Sequence, residues 1–330
     1  MGLSSRRFEQ GLLAFAWNQW GQLGVSAHVR AESTWCQDPE ALIVFTLQLA
    51  RRDPRQFDEL LDWLVTNERD VSVRRLRALA ADPEAGRLAD AALSWVARHR
   101  PRTRLAATRA TVTSTTPEPL FMRLPFPVRG ADPEFLRAGF VRAALEPSGK
   151  SLALDPGRRV AFAFRLRRLL GVGVRAEIVR VMMTSNASGS SAQVLTMAAA
   201  YARRNVREAL DALDDAGALH VVRRGSETRY SVDRRAWARV LGLRPEELPQ
   251  HRDWAQLLPA ALALLAWLEQ REGDERSELL RAAAALDVLE ELAPALAFAG
   301  IPVARAPNAE TAEQELERAA VAVLAAIDDG

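Results

Sequence analysis

Gly171, Gly173 and Ala176 spell G-x-G-x-x-A, a spacing that can lay backbone amides against a pyrophosphate. That chemistry needs a buried strand before the glycines and an acid at a second strand end about 20 residues later. Here FRLRRLL precedes them, and the residues around 196 belong to an apolar helical stretch. The two glycines therefore read as the joint before a helix. His251-Arg252-Asp253 matches three residues of the kinase catalytic loop, but Leu258 stands where that loop has its Asn, and no glycine-rich phosphate loop accompanies it. His28, His99, His220 and His251 have no metal-ligand spacing with one another or with Cys36. Cys36, beside Trp35, reads as a small buried hydrophobe rather than a nucleophile. No Ser-His-acid set and no carboxylate pair can be named from spacing. The expectation is no catalytic residue, no metal and no cofactor, and the chain is not read as an enzyme.

Arginine placement says more. Residues 151–250 hold 17 Arg against 10 acids, net +7, and residues 251–330 hold 6 Arg against 15 acids, net −9. The whole chain nets only +2. Lys150 is the only lysine, so part of the excess reflects a preference for Arg over Lys. That preference does not explain where the arginines lie. A basic block in mid-chain points to a polyanionic partner.

The elements that must position these arginines follow from periodicity. At 330 residues two or three domains are expected, and an apolar share of 48% supports a sizeable core. Residues 1–100 read as a helical domain, with Phe8, Leu12, Phe15 and Trp20, then Leu42, Phe45 and Leu49, at helical spacing. Asp38-Pro39 and Asp53-Pro54 each set an N-cap acid before a proline at the first helical position. The second pair opens a helix over Pro54–Thr66 with Phe57, Leu60, Leu61 and Leu64 inward. Asp70–Leu79 predicts a short helix carrying Arg74, Arg75 and Arg77. Three helices ending in a basic one fit either a degenerate helix-turn-helix over 38–80 or a packing domain with a solvated basic face.

Residues 101–157 are rich in Pro, Thr and Arg and read as a linker, with a β-prone piece at Ala110–Thr116, helical spacing at Pro133–Ala144 and a loop at Pro147–Gly157. An Arg-studded apolar helix, Arg158–Leu170, opens a third region over 158–245. Residues 246–330 read as an acidic helical domain with helices over Trp254–Arg271, Arg276–Leu292 and Glu310–Asp328. Pro259, Pro294 and Pro302 mark starts or breaks there.

Within 158–245 the elements come in a specific order. VRAEIVRVMMT is a helix with Ile178, Val181 and Met182 inward. The polar break SNASGSS follows, and Ser191 caps a second helix with Val194, Leu195 and Ala198 inward. RRNVREALDAL places Val206, Leu210 and Leu213 on one face and Arg204, Arg207, Glu208 and Asp211 on the other. Gly217 ends that helix as a C′ glycine. HVVRRGSETRYSVD alternates as two strands around Gly225.

This layout resembles winged helix-turn-helix transcriptional regulators of the MarR and ArsR kind. The resemblance implies a mainly α fold: a winged helix-turn-helix with a small β-hairpin wing, flanked by N- and C-terminal helical domains. It further implies that helix 203–216 reads base edges in the major groove of double-stranded DNA, and that the 223–229 wing touches backbone or minor groove. Carried onto this chain, Arg203, Arg204, Asn205 and Arg207 are the base-reading candidates, Arg suiting guanine and Asn adenine. Arg223, Arg224 and Arg229 suit phosphate from the wing, and Ser191 and Gln193 anchor to backbone phosphate. The second helix departs from the pattern in being Ala-rich, with few polar residues, and Asp211, Asp214 and Asp215 limit how deeply the third can enter a groove.

The expected function is a sequence-specific DNA-binding regulator, a repressor acting as a homodimer, because two-fold operators match two-fold proteins. The alternative is a protein-interaction component, antitoxin-like or a defence-system adaptor, that binds a protein partner through the helical flanks. An enzyme carrying a fused DNA-binding domain has no nameable site. Cys36 alone forbids an internal disulfide and fits a reducing cytoplasm. The N-terminus lacks an apolar core for a signal peptide, and Leu257–Leu268 is too short to span a bilayer, so no membrane partner is expected.

Overall fold

Side-chain caps start the helices of the first half. Ser4, Asp38, Asp53, Ser72, Asp82 and Asp132 each accept from a backbone N–H in the first turn of the helix that follows. The computed structural model describes residues 3–328 apart from 101–102, 104, 106–115, 124–127, 186, 188, 274, 276 and 305–308. The N-terminal helices are α1 (Ser5–Gln22), α2 (Pro39–Leu49), α3 (Pro54–Asn67), α4 (Val73–Leu79) and α5 (Pro83–His99). Next come β1 (Glu118–Pro119), α6 (Pro133–Arg137) and β2 (Phe140–Val141). The middle of the chain forms α7 (Phe162–Leu170), α8 (Val174–Thr184), β3 (Ser190–Ser191), α9 (Ala192–Ala199), α10 (Arg203–Asp215), β4 (His220–Arg224), β5 (Glu227–Ser231) and α11 (Arg234–Val240). Three long helices close the chain: α12 (Trp254–Glu272), α13 (Glu278–Phe298) and α14 (Ala309–Asp328). The fold is mainly helical, with a three-stranded antiparallel sheet of order β3-β5-β4 and a short parallel pair, β1 with β2.

Two apolar cores hold these elements. The larger collects α1–α5 together with α12–α14, so both ends of the chain bury side chains in one core. Phe8, Trp20, Phe45, Trp63, Trp95 and Trp254 are all within it. Trp254 stacks on Phe15 at 5.3 Å between ring centroids, and its indole N–H donates to the Cys36 carbonyl at 2.9 Å. Each such fully buried large side chain contributes roughly 1.5–3 kcal/mol from the area it removes from water. The smaller core lies among α7–α11 and the hairpin, centred on Ile178, Met183, Leu195, Val206 and Leu210. Cys36 from the N-terminal region belongs to it, and Phe298 of α13 packs against it.

Several sequence expectations change in detail. The helical spacing of Pro133–Ala144 yields only α6, because Gly139 turns the chain at φ +87° and Phe140 and Val141 pair with Glu118 and Pro119. Pro259 and Pro294 interrupt nothing: they lie inside α12 and α13. Each removes a helical hydrogen bond, but Leu257, Leu258, Ala260 and Ala261 around the first and Leu292 and Leu296 around the second are buried, and that packing outweighs the loss. Arg158–Leu170 starts as a 3-10 turn at Arg159–Ala161 before α7 begins. The β-prone piece Ala110–Thr116 lies, except for Thr116, outside the described residues. Leu257–Leu268 sits inside α12 as a largely buried stretch, and among the described residues no helix is long and apolar enough to cross a membrane.

Candidate nucleic-acid interface

Helix α10 owes its orientation to one apolar stripe. Val206, Ala209, Leu210 and Leu213 are buried against α8 and α9, which turns Arg203, Arg204, Arg207, Glu208 and Asp211 to solvent. Its N-cap is Ala202, which has no side-chain acceptor, so the first-turn amides carry the positive end of the helix dipole without a cap. The far end closes as the glycine predicts: Gly217 has φ +66°, and the amide of Ala218 donates back to Leu213 at 2.9 Å. Arg204 reaches Glu208 at 2.7 Å on the exposed face. Such a pair is fully solvated and weak, and Arg204 remains available to a stronger partner.

The hairpin presents the second basic group. β4 and β5 pair from His220↔Ser231 to Arg224↔Glu227, with Gly225 at φ +59° in the turn. Arg223 and Arg224 are exposed near the tip. Arg229 is tied back, to Glu227 at 2.8 Å and to the Gly189 carbonyl at 3.2 Å. The short strand β3 pairs Ser190 with Tyr230 and Ser191 with Arg229, joining the hairpin to the start of α9. Ser191 caps α9 by accepting from the Val194 amide at 3.3 Å, and Gln193 is exposed one residue beyond Ala192. Leu195 and Ala198 face inward as expected, but Val194 stays 38% exposed.

Asn205 departs from its expected role. It is half-buried, and with its amide oxygen toward α4 it accepts from Arg74 Nη1 at 2.9 Å and Nη2 at 2.6 Å. Its amide is committed within the molecule rather than held outward with Arg203, Arg204 and Arg207.

That contact is one of three that clamp the α9–α10 turn to the N-terminal helices. Ala200 adopts a left-handed conformation, φ 51° and ψ 47°, which costs a non-glycine residue about 1–2 kcal/mol. The carbonyl just before it, on Ala199, accepts from Arg75 Nε at 2.6 Å. The Tyr201 and Ser72 hydroxyls lie 2.9 Å apart. Of the arginines expected on a solvated face of α4, Arg75 is instead fully buried, whereas Arg74 and Arg77 are exposed, the first against Asn205 and the second paired with Asp90 at 3.0 Å.

Behind the turn lies a charge cluster that sequence reasoning missed. Arg75, Arg167 and Arg180 meet Asp38, Glu40 and Glu177, and all six are essentially inaccessible to water. Arg75 makes a two-pronged pair with Asp38 and reaches Glu40 at 3.0 Å. Arg167 contacts Glu40 at 2.6 Å and Glu177 at 2.7 Å, and Arg180 contacts Glu177 at 2.8 Å and Asp38 at 3.3 Å. Burial alone would raise the Glu177 carboxyl, but Arg167, Arg180 and Arg75 outweigh it and hold the group well below the usual carboxylate range. Asp38 is lowered likewise, burial being overcome by Arg75 and then Arg180. Three cations and three anions balance, so the cluster carries no net charge. It joins α2 and α4 to α7 and α8, so the element bearing α10 is fastened to the N-terminal helices by charge as well as by packing.

Beside this cluster sit Cys36, His251 and Asp253. Burial pushes the Cys36 thiol up to about 11, which leaves it unreactive near neutral pH. Burial, reinforced by Arg180, lowers His251 to about 3, so its ring is neutral, with Nδ1 3.3 Å from the Thr184 hydroxyl. Gly171, at φ +79°, ends α7 and Gly173 precedes α8, forming the joint expected of them. Among the described residues no three His, Cys, Asp or Glu side chains gather in a metal-holding group. Comparison of the chain with protein-family models, with curated proteins and with solved structures finds no match in any of the three.

Proposed function

We propose that the chain is a sequence-specific DNA-binding transcriptional regulator whose reading head is α10. The observation that carries this is the pairing of two basic projections on one small unit. Arg203, Arg204 and Arg207 stand exposed around an uncapped helix N-terminus, and Arg223 and Arg224 stand exposed on the adjoining hairpin. The order α8, β3, α9, α10, β4, β5 supports the reading as a winged helix-turn-helix. On that reading the α10 arginines reach guanine edges and the hairpin arginines hold phosphate. Clamping by Arg75, Tyr201 and Arg74 suits a head that must be presented in one orientation. The regulator acts as a homodimer on a two-fold operator, and light scattering of the purified protein measures that stoichiometry.

The test is a binding titration against the DNA upstream of its own coding sequence and against a scrambled duplex, at two salt concentrations. Preferential binding to the upstream DNA is the expected result. Weak binding that ignores sequence and vanishes with salt would overturn the reading and leave only a basic surface.

A further inference from the structure

Two adjoining cavities, of about 620 and 370 Å³, lie along one side of α1 and share Ala14, Asn18 and Arg30. The larger is a slot between α1 and α14, with Gly11, Ala14 and Phe15 on one wall and Val321, Leu324 and Ala325 on the other. The smaller is lined by Trp17, Arg30 and Arg55. Both sizes fall within the range of small-molecule pockets.

The slot offers aliphatic surface to solvent. Val321 is 55% exposed, and Ala325, one turn on, is exposed as well. Phe15 is the only ring in the slot's described lining, and it is already stacked on Trp254.

Specific contacts place the arginines at the shared end. Asn18 of α1 accepts from the Arg30 amide at 2.8 Å and donates to the Ala31 carbonyl at 3.3 Å, which holds the segment after α1 against that helix. The Trp17 indole donates to Asp53 at 2.8 Å, and the Arg55 guanidinium stands 5.3 Å from the centre of the same ring. Arg30 and Arg55 are both exposed, and neither makes an ion pair among the described residues. Asp53 is occupied by Trp17 and the Gln56 amide, and Glu59, one turn beyond Arg55, feels its charge without pairing with it. The described lining of the smaller cavity holds no acid. The slot holds one, Asp328, against Arg7 and Arg30. This is the reverse of the buried cluster, where every arginine is matched.

Unmatched guanidinium groups opening onto an aliphatic slot are complementary to an amphipathic anion. A carboxylate takes parallel N–H donors from arginine, and an alkyl chain in the slot removes apolar area from water on both sides. We infer that the groove binds a free medium-chain fatty carboxylate, its head at Arg30 and Arg55 and its chain in the slot between α1 and α14. The site does not rest on the function proposed above, and a failure of DNA binding leaves it standing.

Decanoate, kept below the concentration at which it aggregates, is the probe, titrated by calorimetry into the full chain at pH 7.5 without DNA. Saturable one-to-one binding is expected. Acetate, which has the head without the chain, and decyltrimethylammonium, which has the chain with the opposite charge, should give none. Arg30→Gln with Arg55→Gln should weaken decanoate binding by about tenfold or more, and Arg30→Lys should retain most of it. Ala325→Trp, which fills the slot from an exposed position, should abolish it, and Arg77→Gln on α4 should leave it unchanged. All the substituted positions are exposed, and equal thermal midpoints without ligand check that the variants fold. No saturable decanoate binding, equal binding of decyltrimethylammonium, or binding that survives either the double arginine change or Ala325→Trp overturns the site.

Discussion

Arg167 and Arg203 belong to the same basic stretch of sequence, but their surroundings are opposite. Arg167 is enclosed by Glu40 and Glu177, whereas Arg203 is exposed and makes no ion pair among the described residues. The net +7 of residues 151–250 therefore overstates the positive surface, since Arg167 and Arg180 are matched internally, partly by Asp38 and Glu40 from outside that stretch. The exposed arginines that remain include Arg203, Arg204 and Arg207 at the α10 N-terminus and Arg223 and Arg224 on the hairpin. A buried arginine here is a fastener between regions, and an exposed one is free to meet a partner.

The sharpest break of this comparison is Glu177→Gln. It leaves Arg167 and Arg180 with less compensation in a dry site, where breaking such a pair costs about 3–5 kcal/mol. Urea unfolding should show that loss at neutral pH. The folded carboxyls of Glu177 and Asp38 lie below their unfolded values, so their stabilisation is present above about pH 4 and lost as the pH falls through the folded values. An acid titration of stability should therefore be flatter in the variant, and an unchanged acid slope would mean the cluster is not ionised as described.

Asp253 predicts the opposite sign. A folded carboxyl near 6 binds its proton more tightly than the unfolded chain does, so its stabilising contribution is present at low pH and is lost as the pH rises from about 4 through 6. Asp253→Asn should raise stability at pH 7.5 by about 2–3 kcal/mol and change little at pH 3.5. A variant less stable than wild type at pH 7.5 would show that the charge is already satisfied.

At the exposed arginines the readout moves from folding to binding. Replacing Arg203 and Arg204 together by Ala should weaken operator binding by about 1–3 kcal/mol for each guanine no longer held, with thermal stability within about 0.5 kcal/mol of wild type. Operator binding unaffected by the double change would remove α10 as the reading head. Arg224→Ala should lower affinity for all duplexes alike and reduce the salt slope by about 1. The smallest effect expected is that of Tyr201→Phe, which removes one half-buried hydroxyl interaction with Ser72 and about 1 kcal/mol, measured as a shift in the urea midpoint.

Legibility followed the range of the forces. The caps at Asp38, Asp53 and Ser191, the stripe of Val206, Leu210 and Leu213, and the turn at Gly217 all act within one helix, and the sequence predicts each of them. Strand β3 was not legible, because two serines have no periodicity until β5 lies beside them. Arg75 looked like its neighbours Arg74 and Arg77, since nothing in a run of arginines says which one will find Asp38 across the fold. Asn205 follows Arg203 and Arg204 in the sequence but meets Arg74 of α4, a contact across the fold that no local pattern announces.

What the amino-acid order determined by itself is a mainly helical chain with a basic middle, an acidic end and one compact order of helices and hairpin, because capping, periodicity and turn chemistry are local. Only the tertiary structure decided which arginines are spent on carboxylates and which face outward. It also decided that Asp253 should be buried beside Arg180, and that both ends of the chain should share one core. Those outcomes depend on which distant side chains are brought into the same dry space, where an unmatched charge is costly and a matched one holds two regions together.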